Sequence, residues 1–312
     1  RRLLRDAALL SPTLRIRASN ACAQLTTAAV SRKEQGPMRT VVDLVTALLP
    51  LLYGVAAVNY AVYFARRDPF AERTCTRFLV GVVTLHFVFL VLRAVHLGRY
   101  PIAMFPEYLT VVAFAVAGVY LYVERIQRSK ATGAFIIALV TVLQVAASTS
   151  LPHVGAPKSE YLASPLFGLH TMAAVLGYSA LAVGAVYGVM FLLLFRALKR
   201  KNFGLLFERL PSLDVLASMG FGATLLGWLF LTATILIGTA MSLQLFPGFY
   251  RDPKFIITLF VWLFYGLAVA AYFLLGWRGA RLVYLSLGGF AIAIVSVVGS
   301  HLVWHSFHAF FS

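Results

Sequence analysis

Long apolar stretches separated by short polar loops dominate the pattern of this chain. A bilayer core about 30 Å thick is crossed by roughly 20 apolar residues in helical form. That window predicts eight spans, at about 41–65, 77–97, 107–124, 132–149, 166–195, 215–244, 254–277 and 281–304. We therefore predict an all-α fold, a polytopic membrane bundle of about eight transmembrane helices.

Composition supports a membrane protein and excludes several other classes. The 312 residues are 61% hydrophobic and only 12% charged, which is too apolar for a soluble domain of this size. Two cysteines, Cys22 and Cys75, form no C-x-x-C motif, so neither a disulfide framework nor a thiol-redox motif is predicted. The net charge of +16 lies mainly in the loops, where it sets orientation, and no nucleic-acid partner is expected.

Basic residues are distributed unevenly between alternate loops. Fourteen Lys and Arg residues fall on one side of the predicted bundle and five on the other. Cytoplasmic loops carry the excess of basic residues in membrane proteins. We therefore expect the basic loops in the cytoplasm, with loop 245–254 and both ends of the mature chain outside.

Residues 1–37 differ from the rest of the chain. They are rich in Arg, Ala and Ser and contain no run long enough to span a bilayer. A targeting segment would have this composition. The preferred interpretation is a non-native or disordered extension before a natural start at Met38, so that 38–312 forms a single transmembrane domain.

Histidines cluster toward the side predicted to be outside. His301 and His305 share a helix face, with His308 one turn further. No carboxylate or cysteine accompanies them, which argues against a self-contained zinc site. Alternatively, one of the three faces His170 across the bundle, and two imidazoles hold the iron of a porphyrin from both sides.

Two ionisable residues lie one heptad apart within the second span. His86 and Arg93 share a helix face, and ionisable groups inside spans usually face the bundle interior or a cavity. Arg93 could instead extend outward to the interface, being close to Gly98. If it points inward, its planar guanidinium would suit a carboxylate partner such as a propionate.

A short charged segment, Arg251 to Lys254, separates two strongly apolar stretches. Asp252 followed by Pro253 is a good start signal for a helix. The alternative is that Asp252 belongs to a site, with nearby aromatics such as Phe249 and Tyr250 stacking on a flat cofactor.

Several pieces of the chain occur in the order and spacing of one known family. They are GRYPIAMFPEYLTVVAFAVAGVYLYVE across the second loop and third span, LHTMAAVLGYSALAVGAVYGVMFLLL in the fifth, Asp252-Pro253-Lys254 with VWLFYG, GWRGARLVYLSLGGF, and His305-Ser306-Phe307. From about Met38 onward the chain resembles the cytochrome c assembly (CcsA-like) family, in its HemX/YpjD-like inner-membrane branch.

The resemblance implies haem handling at the outer face of a bacterial inner (plasma) membrane. It implies His170 and His305 as axial ligands of haem b, with loop 245–254 beneath the porphyrin. Asp252, Phe249 and Tyr250 in that loop are expected to contact the cofactor, as are Arg93 and His86, and no catalytic residue is expected.

The loop departs from the family pattern. Leu245, Phe249 and Arg251 occupy places where the family has tryptophans, and Phe255 occupies that of a glutamate. An inner family histidine would fall near Ala270.

We expect a protein that binds or presents haem for c-type cytochrome assembly or for control of haem synthesis, rather than an enzyme. Its expected partners are the lipid bilayer, haem, and other membrane subunits or cytochrome c assembly proteins. The alternative is a haem-free scaffold subunit of a larger membrane complex that keeps the same fold. A small-molecule transporter with a path lined by His86 and Arg93 is a third hypothesis.

Overall fold

The computed structural model describes residues 37–151, 164–201, 203–245 and 249–302, and all regular structure in these ranges is helical. A one-turn helix, Leu205–Arg209, and a 3-10 turn, Phe249–Arg251, lie in loops. We number the eight long helices α1 (Pro37–Arg66), α2 (Pro69–Leu97), α3 (Phe105–Gln127), α4 (Gly133–Ser150), α5 (Pro165–Lys199), α6 (Leu213–Leu245), α7 (Pro253–Leu274) and α8 (Ala280–Leu302).

Each predicted span corresponds to one of these helices. Within the described ranges, α1 to α7 are long and apolar enough to cross a membrane, and α8 contains the shorter apolar stretch Ala280–Val295. The predicted polytopic helical bundle is thereby confirmed. A boundary between two compact units falls after Val45, within α1, and the bundle discussed below is the unit that begins at Thr46.

The predicted start of the second helix is wrong. The α2 helix begins at Pro69, well before residue 77, because Asp68 caps it: the Asp68 carboxylate accepts a hydrogen bond from the Ala71 amide at 2.8 Å. Proline at the first helical position needs no hydrogen bond of its own. Arg73 and Arg77 therefore lie in the first turns of α2 and not in a loop.

Helices α5 and α6 form the most extensive helix pair. Glycines make the close approach possible: a Cβ on Gly184 would lie 2.8 Å from Thr224 Oγ1, and one on Gly227 would lie 2.7 Å from Leu181 Cδ2. Small residues serve the same purpose in many membrane bundles. This tight pairing holds α5 against α6 along the middle of both helices.

Candidate functional site

The side chain of His170, in the second turn of α5, is held by the backbone of α6. Its Nδ1 lies 3.1 Å from the carbonyl oxygen of Thr234. A carbonyl can only accept a hydrogen bond, so Nδ1 carries the proton and the lone pair of the neutral ring is on Nε2. A backbone carbonyl commonly fixes metal-binding histidines in this way.

Gly238 provides the surface on which the His170 ring lies. It is one helical turn beyond Thr234 on α6, and a Cβ there would approach His170 Cε1 to 2.7 Å and Nδ1 to 2.9 Å. No side chain fits at that distance without moving the imidazole. The position of the ring therefore depends on glycine at 238.

Asp252 begins α7. Its carboxylate is buried and accepts a hydrogen bond from the Lys254 amide at 2.8 Å, with Pro253 at the first helical position. The helix-start interpretation is confirmed. A contact between Asp252 and a cofactor stays a prediction.

The start of α7 lies within electrostatic range of His170. The charge of Lys254 interacts electrostatically with the His170 ring and with Asp252. Tyr250 is 57% exposed, and the Arg251 guanidinium lies 5.6 Å from the centre of its ring. This end of the bundle therefore combines an imidazole, an ammonium group and an exposed aromatic ring. Phe249 opens the preceding 3-10 turn.

A buried ion cluster holds the loop between α2 and α3. Arg99 bridges the Glu107 carboxylate through two contacts of 2.9 and 3.1 Å, and Arg93 Nη2 lies 3.3 Å from the same carboxylate. Glu107 also accepts from the Ala103 amide at 3.0 Å. All three charged side chains are buried, so Arg93 points into the bundle and not outward to the interface.

The loop held by this cluster packs on the start of α5. The Tyr100 ring lies directly on Gly168, where a Cβ would meet three of its ring atoms within 3 Å. Gly168 precedes His170 by two residues. Arg93, through Glu107 and this loop, thus supports the turn that carries His170.

His86 occupies a different environment, in the interior of α1 to α4. Its Nδ1 lies 3.0 Å from the Tyr53 hydroxyl and its Nε2 lies 3.1 Å from Thr110 Oγ1, which donates to Gln144 Oε1 at 2.9 Å. His86, Tyr53, Thr110 and Gln144 are all fully buried. The sequence indicates His86 as an ionisable residue within a span. It does not indicate which polar residues of other helices contact its ring.

The second predicted iron ligand, His305, lies outside the described residues, as do His153 and His308. Among the residues that the structure does describe, no group of three or more His, Cys, Asp or Glu side chains could hold a metal ion. His96 lies in the last turn of α2 and is exposed. The described part of the predicted site is therefore His170 with the loop that begins α7.

The fold defines a multi-pass membrane protein, and comparison with known proteins adds the family. The model of the family described as "Cytochrome C assembly protein" matches residues 101–308, more than half of the chain. The chain belongs to this family and is a membrane protein of cytochrome c assembly. Helices α1 and α2 precede the matched residues.

Three curated relatives are identical to the chain at 23% to 26% of the aligned positions. The cytochrome c biogenesis protein CcsA of Synechococcus sp. (strain CC9902) is 26% identical over 294 residues, covering 86% of this chain and 97% of the relative. Protein HemX of Brevibacillus brevis is 26% identical over 218 residues, with coverages of 69% and 80%. CcsA of Heterosigma akashiwo (strain NIES-293 / 8280G21-1) is 23% identical over 259 residues, with coverages of 72% and 80%.

Proposed function

We propose that this protein binds or presents haem at the outer face of a bacterial inner membrane, for c-type cytochrome maturation or for control of haem synthesis. The observation that carries the proposal is the hydrogen bond from His170 Nδ1 to the Thr234 carbonyl oxygen. It leaves the imidazole in the tautomer whose Nε2 can bind iron. The names of the CcsA relatives, cytochrome c biogenesis proteins, agree with this role.

In this proposal His170 and His305 are the residues that would hold the iron of a haem b. Residues of loop 245–254, among them Asp252, Phe249 and Tyr250, would contact the porphyrin. The positive charge of Lys254 beside His170 would favour the carboxylates of a porphyrin. A bound haem would supply the iron and the vinyl chemistry, and the protein would supply ligation and orientation.

Arg93 and His86, predicted from the sequence to contact the cofactor, fit supporting roles better. Arg93 is engaged by Glu107, and both ring nitrogens of His86 face hydroxyl groups. We propose that Arg93 acts through the loop that packs on Gly168, and that His86 joins the first four helices. Neither role requires contact with the haem.

Absorbance spectroscopy of the purified protein tests the ligand assignment. Wild type should give a reduced-minus-oxidised haem spectrum, and His170→Ala and His305→Ala should weaken or shift it. His96→Ala is the matched control, because His96 is an exposed histidine on α2 and should leave the spectrum unchanged. Added imidazole should restore the His170→Ala spectrum if the residue is a ligand and not only a structural support.

Two results would overturn the assignment: a colourless wild type, or an unaltered spectrum in His170→Ala. A colourless protein that co-purifies with stoichiometric membrane partners would point instead to the haem-free scaffold subunit. The family comparison does not favour that alternative.

The proposed orientation has a separate test. Alkaline phosphatase is active only outside the cytoplasm, so a fusion after Tyr250 should be active and a fusion after Phe203 inactive. The opposite pattern would place loop 245–254 in the cytoplasm and contradict an outer haem site.

A further inference from the structure

Two arginines from different loops meet at the end of the bundle opposite His170. Arg67 directly follows α1, and Arg209 ends the one-turn helix between α5 and α6. The Arg67 guanidinium group donates through Nη2 to the backbone oxygen of Arg209 at 2.8 Å and through Nη1 to the Tyr63 hydroxyl at 2.9 Å. The α1–α2 loop is therefore joined to the α5–α6 loop, although 142 residues separate the two arginines.

Carboxylates of the described chain do not neutralise this pair of arginines. Within the described ranges, neither guanidinium group forms a salt bridge. The acidic residue next to Arg67, Asp68, caps α2 through the Ala71 amide. Arg209 Nε is buried and has no hydrogen-bond partner among the residues that the structure describes. A buried N–H without an acceptor is costly, so the guanidinium group of Arg209 is suited to a further acceptor.

Arginine at position 67 is unusual for the end of a helix. Its φ is 53°, in the left-handed region where glycine is the common residue just beyond a helix. A side chain there is strained, so glycine would form the better helix end. What arginine adds at this position is a guanidinium group held by Tyr63 and by the opposite loop.

The α5–α6 loop that contributes Arg209 also exposes large apolar side chains. Phe203 is 57% exposed and Leu205 is 52% exposed, and Leu206 and Phe207 are exposed as well. The rings of Phe203 and Phe207 pack edge to face, with their centroids 4.9 Å apart. Apolar side chains flanked by basic ones are typical of segments that lie in the membrane interface. Basic residues flank this stretch on both sides, namely Lys199, Arg200, Lys201 and Arg209.

We propose that this end of the bundle binds an anionic phospholipid, with the phosphate on Arg67 and Arg209 and an acyl chain against the exposed apolar side chains of the α5–α6 loop. A planar guanidinium group matches phosphate oxygens through paired hydrogen bonds. Residues 199–209 contain four basic residues and one acidic residue, a charge that complements an anionic headgroup. Membrane orientation requires basic loops, but it does not require arginines of two different loops to be in contact.

The proposed lipid site is separate from the candidate haem site. It lies at the other end of α5 from His170 and shares no residue with it. It requires that the two loops lie together, which the contact between Arg67 and Arg209 shows, and it does not depend on which membrane face they occupy. The outcome of the haem spectrum therefore neither supports nor weakens this proposal.

Thermal unfolding of the purified full chain in detergent micelles tests the lipid site. Phosphatidylglycerol, phosphatidylcholine and inorganic phosphate are titrated in separate series at constant ionic strength. A ligand that binds only the folded state raises the unfolding midpoint in a saturable manner. We expect this rise with phosphatidylglycerol, and no rise with the zwitterionic phosphatidylcholine or with inorganic phosphate.

Arg67→Gly and Arg209→Gln are the decisive variants. Glycine at 67 removes the guanidinium group and relieves the backbone, and glutamine at 209 keeps the backbone carbonyl that accepts from Arg67, so both should fold. We expect each to weaken the apparent affinity for phosphatidylglycerol about tenfold, the equivalent of about 1.4 kcal/mol. Arg196→Gln is the matched control, because it removes the same charge from an exposed position in the last turn of α5 and should bind as wild type does.

The exposed ring of Phe203 provides a test of the acyl-chain contact. Phe203→Ser should weaken binding of phosphatidylglycerol while leaving the unfolding midpoint in detergent alone unchanged, because the ring is largely exposed. A variant that binds the lipid as wild type does would overturn the assignment of the α5–α6 loop to the site.

The proposal fails if phosphatidylglycerol gives no saturable rise, or if phosphatidylcholine gives an equal one. An equal rise with inorganic phosphate would also overturn it, because the site would then bind a free anion and not a lipid. If Arg196→Gln loses as much affinity as Arg67→Gly, the effect comes from the net charge of this end of the bundle and the proposed site does not exist.

Discussion

His86 and His170 both lie in membrane helices, but their surroundings differ in kind. His86 is fully buried, and each of its ring nitrogens faces a hydroxyl group, from Tyr53 and Thr110. His170 is half-buried, and its Nδ1 proton goes to a backbone carbonyl. A histidine bonded through both nitrogens joins helices, whereas one that donates through Nδ1 carries its basic lone pair on Nε2.

The same contrast extends to the two halves of the bundle. Helices α1 to α4 bury ion pairs and hydrogen-bonded side chains. Among them are Glu107, with its two arginines, and Glu124 of α3, which accepts a hydrogen bond from the Tyr60 hydroxyl. The core shared by α5 to α8 is largely apolar and aromatic, with residues such as Tyr265 and the stacked rings of Trp228 and Trp262, 5.9 Å apart. Hydrogen-bonded polar groups specify one arrangement of membrane helices. We infer that the polar contacts of α1 to α4 hold the helices in one arrangement, and that α5 to α8 carry the candidate haem site.

The largest effect is expected from the ion cluster of the first half. Glu107→Gln leaves two buried guanidinium groups beside a neutral amide, which typically costs about 3–5 kcal/mol. We expect little folded protein, or a strongly lowered midpoint of thermal unfolding. Glu208→Gln is the control, because Glu208 is exposed and its loss should change stability by less than about 0.5 kcal/mol. Equal midpoints for the two variants would show that the cluster contributes nothing.

The next effect tests the comparison of the two histidines directly. His86→Phe leaves the buried Tyr53 hydroxyl without its acceptor and should destabilise the protein by about 1–3 kcal/mol, while the haem spectrum is retained. His170→Ala should do the reverse, weakening or shifting the haem spectrum while unfolding close to the wild-type temperature. If His86→Phe loses the spectrum without loss of stability, His86 belongs to the haem site after all.

The architecture was predictable from the sequence because the bilayer imposes it. A span must be long and apolar, so all eight helices were found from hydropathy alone. The start at Asp252 and Pro253 was predictable because a cap is a local interaction. The predicted second span did not include the start of α2. The first turns of this helix carry Arg73 and Arg77 and are too polar for an apolar window.

The contacts of the site were not predictable in the same way. Nothing local to His170 indicates that its partner is a carbonyl 64 residues away, at Thr234. Arg93 left two interpretations open because its orientation depends on Glu107, on another helix.

A smaller effect on haem binding is expected from adding a methyl group to a glycine of α6. Gly238→Ala places a methyl group 2.7 Å from His170 Cε1, whereas a Cβ on Gly222 meets nothing within 4 Å. We expect Gly238→Ala to displace the imidazole and weaken haem retention about tenfold, or about 1.4 kcal/mol. Haem titration of the purified variants measures this. Gly222→Ala should behave as wild type, and equal affinities for both variants would argue against His170 as a ligand.

The smallest effect compares two helix caps. Asp68 caps α2 and Asp252 caps α7, each through a hydrogen bond of 2.8 Å to a backbone amide. Replacing either by alanine should cost about 1 kcal/mol of stability, because an unsatisfied helix terminus results. Only Asp252→Ala should also alter the haem spectrum, since Asp252 begins the helix that places Lys254 beside His170. If both variants lose stability equally and neither changes the spectrum, Asp252 is a cap and the proposed haem contact is absent.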